Sequence, residues 1–440
     1  MVKHLVKFSI ALCLAVISAS CGVHGRQEEK LDAYFDALEG HFMGSVSVTT
    51  EGRNVYQRHI GFADVENRVP ADCQTRYRIG SISKTFTALL VLLADEEGLL
   101  SLDDPIEKYF GDEHIPDSDI ITIDHLLQHR SGLVDIIDDL PADYMTWYNL
   151  PQTRKQMVGR IAAAGTYFPP GGAFRYCNAG YILLTYILED AYGKPYAELL
   201  EEKITRPAGL RYTRFSSEID PSRGDALSYN LMGDWVPASE THASVALGAG
   251  ALSSTTGDLV KFASALSEGL FGDQVLNRMK QMKDGYGRGL MDISEGQLSG
   301  CGHTGGIDGF VALMAMFDDT VVVFCSNGMD RTVNVINDVL EIVSGNDVAL
   351  PVFDEGAVLD DKLLDGYVGT YHIGSIGLEF DLVAGKGRLF IDQMGQIIPL
   401  KALSDSTFEC AAAGLEIILH VPSDSLTMRQ NGMEFQARKR

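Results

Sequence analysis

The segment YRIGSISKTF, residues 77–86, contains the turn and the start of a helix that place the most informative polar side chains of this chain. Gly80 favours a turn, and from Ser81 to Leu93 the apolar residues recur at helical spacing. No Gly or Pro interrupts the pattern before Gly98. The sequence therefore predicts a helix that Ser81 opens, with Lys84 one turn later on the same face.

A serine and a lysine in this arrangement can form an activated nucleophile. A hydroxyl at a helix N-terminus lies in a positive field, and a neighbouring amine can accept its proton if desolvation lowers the amine's pKa. Taken alone, S-x-x-K also occurs by chance, with the serine as a helix cap and the lysine in solvent. Further motifs are needed to choose between these two interpretations.

Two further motifs favour the chemical interpretation. Tyr176-Cys177-Asn178 follows a Pro-Pro-Gly-Gly run, and His303-Thr304-Gly305-Gly306 follows Tyr-Gly-Arg-Gly. In this order and at these separations, S-x-x-K, Y-x-N and H-T-G resemble the three active-site motifs of the serine β-lactamase and D-alanyl-D-alanine carboxypeptidase superfamily. The similar branch holds class C β-lactamases, D,D-carboxypeptidases, D-aminopeptidases and related esterases. Other matching segments are HLLQHRSGL (125–133), PAGL (207–210), GALSS (250–254) and CSN (325–327).

The resemblance implies catalytic roles that the chemistry supports. Ser81 would be acylated, and Lys84 and Tyr176 would share the work of base and acid. Asn178 would orient the substrate amide and Lys84. Backbone N–H groups of Ser81 and Gly306 would form the oxyanion hole.

The strand motif would supply the remaining substrate contacts. His303, Thr304, Gly305 and Gly306 are expected to line the cleft, with His303 facing the carboxylate or carbonyl side of the substrate. Class C β-lactamases typically have lysine at the position of His303. Because neutral histidine anchors a carboxylate less firmly than lysine, the sequence predicts faster hydrolysis of small esters or D-aminoacyl substrates than of a cephalosporin.

The sequence thus predicts an exported serine hydrolase that acts on D-amino-acid peptides or small esters and amides. The alternatives are a class C-like β-lactamase, an acyltransferase, and a noncatalytic β-lactam or peptidoglycan binder. The expected partner is a small-molecule or peptide substrate. Retention of Ser81, Lys84 and Tyr176 together argues against the binder, which would not need all three.

Charge and composition bear on nucleic-acid partners, cofactors, metals and disulfides. The chain has 440 residues, of which 60 are acidic and 36 basic, and its net charge of −24 would repel a phosphate backbone, so no nucleic-acid partner is expected. No dinucleotide or phosphate-loop fingerprint occurs, and no cofactor is expected. His125 and His129 are four residues apart but lack the H-E-x-x-H pattern, so they are assigned to the scaffold and no metal site is expected. The five cysteines after the leader have no regular spacing and are expected to be free and mostly buried.

The N-terminus has the pattern of a secretory signal. Two lysines precede an apolar run from Phe8 to Ala19, too short to span about 30 Å of hydrocarbon. Residues 1–21 are therefore assigned to a signal peptide. Cys21 after Ala19-Ser20 resembles a bacterial lipoprotein box, which implies a lipid anchor in the periplasm or outer membrane; cleavage near Ser20 or Gly25 is the alternative.

Two folding units are expected after the leader. Residues 45–61 and 310–324 show the alternation of β-hairpins among helical segments, which predicts an α+β unit, an antiparallel sheet flanked by helices, over residues 26–349. This is the β-lactamase/transpeptidase-like arrangement that the resemblance implies. From Tyr367 onward, eight short alternating segments separated by turns predict a small all-β barrel within residues 356–440, similar to the lipocalin-like barrels appended to many members of that superfamily.

Overall fold

The described part of the chain begins after the predicted leader. The computed structural model describes residues 26–137, 144–215, 218–294, 298–353, 356–393, 396–420, 424–430 and 432–440. The predicted signal peptide, residues 1–21, and the lipid acceptor Cys21 lie outside these ranges. Within them, no helix has both the length and the apolar character needed to cross a membrane.

Both strands and helices precede the barrel. The strands are β1 (Phe42–Thr50), β2 (Arg53–Ile60), β3 (Phe62–Asp64), β4 (Val69–Pro70), β5 (Tyr77–Arg78), β6 (Arg214–Phe215), β7 (Tyr229–Leu231), β8 (Trp235–Pro237), β9 (Leu252–Ser254), β10 (Met291–Asp292), β11 (Cys301–Ile307), β12 (Phe310–Met316) and β13 (Thr320–Met329). The helices are α1 (26–37), α2 (Ser83–Glu96), α3 (Glu107–Phe110), α4 (Ile123–Leu127), α5 (Arg154–Ala164), α6 (Asn178–Tyr192), α7 (Tyr196–Leu200), α8 (Ala243–Gly250), α9 (Thr256–Ser267), α10 (Val275–Met279) and α11 (Val335–Val343). Single 3₁₀ turns cover Gly80–Ile82, Tyr144–Thr146 and Pro221–Arg223, and a π turn covers Glu201–Thr205.

The central feature is an antiparallel sheet of six strands in the order β10-β11-β12-β13-β1-β2. The predicted hairpins are both present in it. The β1–β2 hairpin turns at Glu51-Gly52, where both residues have positive φ, 50° and 72°. Strand β1 joins the two halves of the sheet, because it pairs with β2 on one side and with β13 on the other.

Helices cover both faces of this sheet. Alternate residues of a strand point to opposite faces, and β12 shows this directly. Ala312 and Met314 belong to the core formed with α2 and α6, whereas Leu313 and Ala315 belong to the core formed with α1 and α11. The predicted antiparallel sheet flanked by helices is therefore confirmed.

The C-terminal segment forms a closed barrel of eight strands, which confirms the predicted all-β unit. A short helix, α12 (Asp361–Asp365), leads into it. The strands are β14 (Gly369–Ile373), β15 (Leu378–Gly385), β16 (Arg388–Gln393), β17 (Gln396–Ala402), β18 (Thr407–Cys410), β19 (Leu415–His420), β20 (Ser425–Gln430) and β21 (Met433–Lys439), with a 3₁₀ turn at Ala411–Ala413. Each strand pairs with its neighbour in sequence, and β14 closes the barrel on β21.

The cysteines of the described residues are free, as expected, and only Cys73 is exposed. A cavity of about 320 Å³ lies between the barrel and the rest of the chain. It is lined mainly by apolar side chains, with Arg331 and Arg388 among the polar ones.

Candidate active site

The predicted nucleophile lies on a turn that runs directly into α2. Gly80 has a φ of 49°, which an L side chain rarely adopts, and the 3₁₀ turn Gly80–Ile82 precedes the α-helix that begins at Ser83. Ser81 therefore lies inside this turn, two residues before the α-helix that it was expected to open. Its side chain remains one turn from Lys84, and Lys84 Nζ is 3.0 Å from Ser81 Oγ. That distance permits direct proton transfer between the two groups.

The Lys84 ammonium is held by three parts of the chain. The side chain is fully buried, with 0% exposure. Besides Ser81, Nζ donates to Asn178 Oδ1 at 2.6 Å and to the carbonyl oxygen of Ala249 at 2.8 Å. Since Asn178 opens α6 and Ala249 lies in α8, the amine is fixed where three helices meet.

Asp135 determines which way the Asn178 amide points. Its carboxylate, on a residue only 2% exposed, accepts the Asn178 backbone N–H at 2.6 Å and the Asn178 Nδ2 at 2.9 Å. Because Nδ2 is committed to Asp135, Oδ1 faces Lys84. The carboxylate also lies at the start of α6, where the helix dipole favours a negative charge.

Tyr176 lies beside the buried amine. Lys84 Nζ is 4.8 Å from the centroid of the Tyr176 ring. The backbone on both sides of Tyr176 is tied to His129: Arg175 N–H donates to its carbonyl at 3.0 Å, and Cys177 N–H donates to its Nδ1 at 3.1 Å. Ser81, Lys84, Tyr176 and Asn178, predicted from separate motifs, thus converge on one point.

His125 and His129 serve the scaffold, as expected. His125 Nδ1 accepts the Thr122 backbone N–H at the start of α4. His129 is 1% exposed, and its burial, together with the charge of Lys84, holds the pKa of its imidazole well below the ordinary value. Across the described ranges, no three His, Cys, Asp or Glu side chains form a group that could hold a metal ion.

His303 is a neutral, internally bonded residue of the cleft wall. It is 1% exposed; its Nδ1 donates to the Thr304 carbonyl at 2.6 Å, so its Nε2 accepts the Tyr286 hydroxyl at 3.0 Å. Burial, and then the charge of Lys84, lowers the pKa of His303 to about 3. Both ring nitrogens are therefore engaged within the protein, and the imidazole offers no positive charge to a substrate.

Glycines bring β11 against the nucleophile turn. A Cβ on Gly80 would lie 2.6 Å from the Gly306 nitrogen, and one on Gly305 would lie 2.0 Å from the Ile79 carbonyl oxygen. The two backbones are thus in direct contact. Gly306 and Thr304 line the cleft together with Ser81, whereas Gly305 is buried in the contact and does not line it.

The cleft in front of Ser81 has a volume of about 600 Å³. Tyr144, Tyr148 and Ser239 add polar groups to its wall. Two contributions come from far along the sequence: Arg331, just after β13, and Gln393, the last residue of β16 in the barrel.

Motif reasoning missed several of these residues. Asp135 and Arg331 lie in irregular segments, where no periodicity marks them. Tyr286 belongs to the Tyr-Gly-Arg-Gly run that was noted only as a flank of the strand motif. Ala249 contributes through its backbone carbonyl, which no side-chain pattern can reveal.

The sequence of the chain is similar to sequences of a known family. The sequence model of the Beta-lactamase family matches residues 33–344. Penicillin-binding protein 4* of Bacillus subtilis (strain 168) is 26% identical over 457 aligned residues, which cover 93% of this chain and 98% of the relative.

Two solved structures extend the likeness. The D-amino acid amidase from Ochrobactrum anthropi SV3, complexed with D-phenylalanine, has a TM-score of 0.64 at 26% identity and covers 74% of this chain and 99% of its own. The octameric penicillin-binding protein homologue from Pyrococcus abyssi shares the fold, with a TM-score of 0.61 at 22% identity, over 94% of this chain and 99% of its own. The chain belongs to the β-lactamase family and is a serine hydrolase of that family.

Proposed function

We propose that this protein hydrolyses amide or ester bonds of D-amino acid substrates through an acyl-enzyme on Ser81. The observation that carries the proposal is the 3.0 Å approach of Lys84 Nζ to Ser81 Oγ, with Asn178 fixing the amine and Tyr176 beside it. The D-amino acid class is supported by the likeness to a D-amino acid amidase and to a penicillin-binding protein.

The reaction has two halves. Ser81 Oγ forms a bond to the substrate carbonyl carbon while its proton passes to the Lys84–Tyr176 pair. The tetrahedral intermediate then collapses, the bond to the leaving amine or alcohol breaks, and the pair returns the proton to that group. Water attacks the resulting ester in the same way, which releases the acid and restores Ser81.

The negative charge of each tetrahedral intermediate needs donors close to the nucleophile. We assign this role to the backbone N–H groups of Ser81 and Gly306, because both residues line the cleft where β11 meets the turn. In other hydrolases one such donor contributes about 2.7–4 kcal/mol.

A β-lactamase is the weaker candidate. Its substrates carry a carboxylate close to the reacting carbonyl, and His303 is neutral with both nitrogens bonded inside the protein. We expect D-aminoacyl amides or esters to be cleaved with a higher kcat/KM than a chromogenic cephalosporin. If the kcat/KM for a cephalosporin were higher than that for every ester, amide and peptide of a test panel, the protein would be a true β-lactamase instead.

Intact-mass analysis tests the acyl-enzyme. After incubation with a fluorophosphonate probe, the wild type should gain a single adduct, and Ser81→Ala should gain none. Ser239→Ala is the matched control, because Ser239 lines the same cleft but its Oγ accepts from the Tyr148 hydroxyl. An undiminished adduct on Ser81→Ala would disprove the assignment.

We also propose that the mature enzyme acts outside the cytoplasm, either lipidated at Cys21 or cleaved shortly after it. The support is the basic, apolar and small-residue order of residues 3–20. Mass spectrometry of the mature N-terminus from the native host distinguishes the two forms, and a cytoplasmic protein that retains Met1 would contradict both.

A further inference from the structure

The cleft contains two charged side chains with different surroundings. Asp308 is neutralised: it lies 3.1 Å from Arg78 in a pair whose side chains are 4% and 5% exposed, and it accepts the Thr241 hydroxyl. Arg331 is exposed to the cleft, and in the described part of the chain no carboxylate pairs with it. The cleft therefore presents an uncompensated guanidinium.

The sheet shows on which side of the reacting centre this guanidinium lies. Gly306 pairs with Val311, and Val311 pairs with Ser326, so two strand spacings, roughly 10 Å, separate Gly306 from Ser326. Strand β13 runs parallel to β11, because both are antiparallel to β12. Arg331 is five residues beyond Ser326, and hence beyond the Ile307 end of β11, opposite the His303 end.

The barrel contributes a side chain to the same cleft. Gln393, at the end of β16, lines it together with Arg331. During turnover the leaving group must depart and water must enter, whereas the acyl group stays bonded to Ser81. A side chain of the cleft wall can therefore hold the acyl part of the substrate through both halves of the reaction.

We propose that Arg331, assisted by Gln393, binds a carboxylate on the acyl part of the substrate, remote from the carbonyl that Ser81 attacks. This inference rests on the proposed acyl-enzyme function and narrows its substrates. The planar guanidinium matches a carboxylate through two parallel hydrogen bonds, and the Gln393 amide adds a further donor. Two strand spacings and five extended residues put the Arg331 backbone up to about 20 Å from Gly306. The long arginine side chain covers part of this distance, so we place the carboxylate about three residues, at about 3.3–3.6 Å each, from the scissile bond.

A pair of chromogenic esters tests the subsite. The p-nitrophenyl half-ester of suberic acid carries a free carboxylate at the end of an eight-carbon acyl chain, and its methyl-capped counterpart does not. We expect wild-type kcat/KM to favour the free acid about tenfold, in keeping with a charge-assisted hydrogen bond. The preference should fall to about one in Arg331→Gln and be intermediate in Arg331→Lys.

Arg388→Gln is the matched control. Arg388 lines the cavity between the barrel and the rest of the chain but not this cleft, so the variant removes the same charge nearby and should keep the wild-type preference. A wild-type preference near one, or a preference that survives in Arg331→Gln, would overturn the inference.

A binding experiment separates this inference from the proposed function. Suberanilic acid and its methyl ester are titrated into Ser81→Ala protein by calorimetry, which needs no turnover. The acid should bind about tenfold more tightly, and Ser81→Ala/Arg331→Gln should lose the difference. If the wild type hydrolysed neither p-nitrophenyl ester, the proposed function would be at fault and this titration would decide; equal affinities would overturn the carboxylate subsite.

Discussion

At the scale of single residues, Lys84 and Tyr176 are the groups placed to move protons. We predict that Lys84→Ala and Tyr176→Phe each lower kcat by about 10²–10⁴-fold while changing KM far less, because proton transfer acts only in the transition state. Steady-state kinetics on a D-aminoacyl ester measures this. Tyr148→Phe is the control, since it removes a hydroxyl from the same cleft. Near-normal kcat in both variants would show that the base has been misassigned.

Asp135 is a positioning residue that acts through Asn178. Asp135→Asn keeps the shape of the side chain but removes the charge that accepts both Asn178 donors. The Asn178 amide can then rotate away from Lys84, so we expect kcat to fall about tenfold, with a smaller change in KM. Asp135→Glu should recover part of the loss. Wild-type kcat in Asp135→Asn, together with a lowered melting temperature, would leave Asp135 a purely structural role.

His303 should make stability depend on pH. Its pKa is lowered to about 3 in the folded protein, against about 6.5 in an unfolded chain. Between these values the unfolded chain binds more protons, so the free energy of unfolding falls as the pH falls from about 6.5 towards 3. From pH 7 to pH 5 the loss due to this group is about 2 kcal/mol.

Urea unfolding at both pH values checks the sign and size of this effect. His303→Asn should lose about 2 kcal/mol less than the wild type on acidification, whatever its stability at pH 7. His114→Asn, which replaces an exposed histidine, is the matched control. Equal losses in the wild type and in His303→Asn would contradict the prediction.

Catalytic residues could be predicted where their side chains belong to a helix or to a short sequence motif. Ser81 and Lys84 are related by helical spacing, and Tyr176, Asn178 and His303 lie in compact motifs. Asp135, Tyr286 and Arg331 were not predictable, because their roles depend on long-range packing that places an irregular segment beside a distant partner. His303 shows a second limit: its position could be inferred, but not that Tyr286 and Thr304 occupy both ring nitrogens.

At the scale of elements, the contact between β11 and the nucleophile turn depends on glycine. Gly305→Ala would place a Cβ 2.0 Å from the Ile79 carbonyl oxygen, so the strand and the turn must separate. We expect the free energy of unfolding to fall by about 1–3 kcal/mol and the acylation of Ser81 to slow. Gly306→Ala on the same strand meets no atom within 4 Å and should keep its stability. Thermal unfolding and probe kinetics measure both, and equal stability of the two variants would refute the argument.

Element type was predictable where the sequence period is unambiguous. The eight barrel strands alternate apolar and polar residues because one face packs inward, and all eight were expected from that alternation. The start of α2 was less certain, because a 3₁₀ turn and an α-helix have similar local preferences. Local spacing did not specify that Ser81 would lie in a 3₁₀ turn. In the structure this turn packs against β11 at Gly80.

At the scale of the whole molecule, α1 ties the start of the described chain to α11. Gln27 Nε2 donates to the Val343 carbonyl at 2.8 Å, and the Tyr34 hydroxyl donates to Asp338 at 2.5 Å. Four side chains of this segment are buried: Leu31, Tyr34, Phe35 and Leu38. Removing residues 1–38 should therefore abolish cooperative unfolding, since each buried apolar side chain contributes about 1.5–3 kcal/mol to a total of about 5–15 kcal/mol.

Deletion of residues 1–25 is the matched variant, and it should leave a soluble enzyme with wild-type kcat and melting temperature. Circular dichroism and ester hydrolysis compare the two truncations. Loss of folding in the shorter deletion would show that the predicted leader contributes to the mature structure.

The pairing of β1 with β13 also has a consequence for biosynthesis. Thr50 and Thr320, which meet across this pair, are 270 residues apart. At about 5–20 residues per second, β1 leaves the ribosome roughly 15 to 50 seconds before its partner. The turn that carries Ser81 likewise packs against Gly306, and Lys84 donates to Ala249, so both partners are synthesised later than the residues they contact. A nascent chain that does not yet include Gly306 has no assembled catalytic centre, so the hydrolase is inactive throughout most of its own translation.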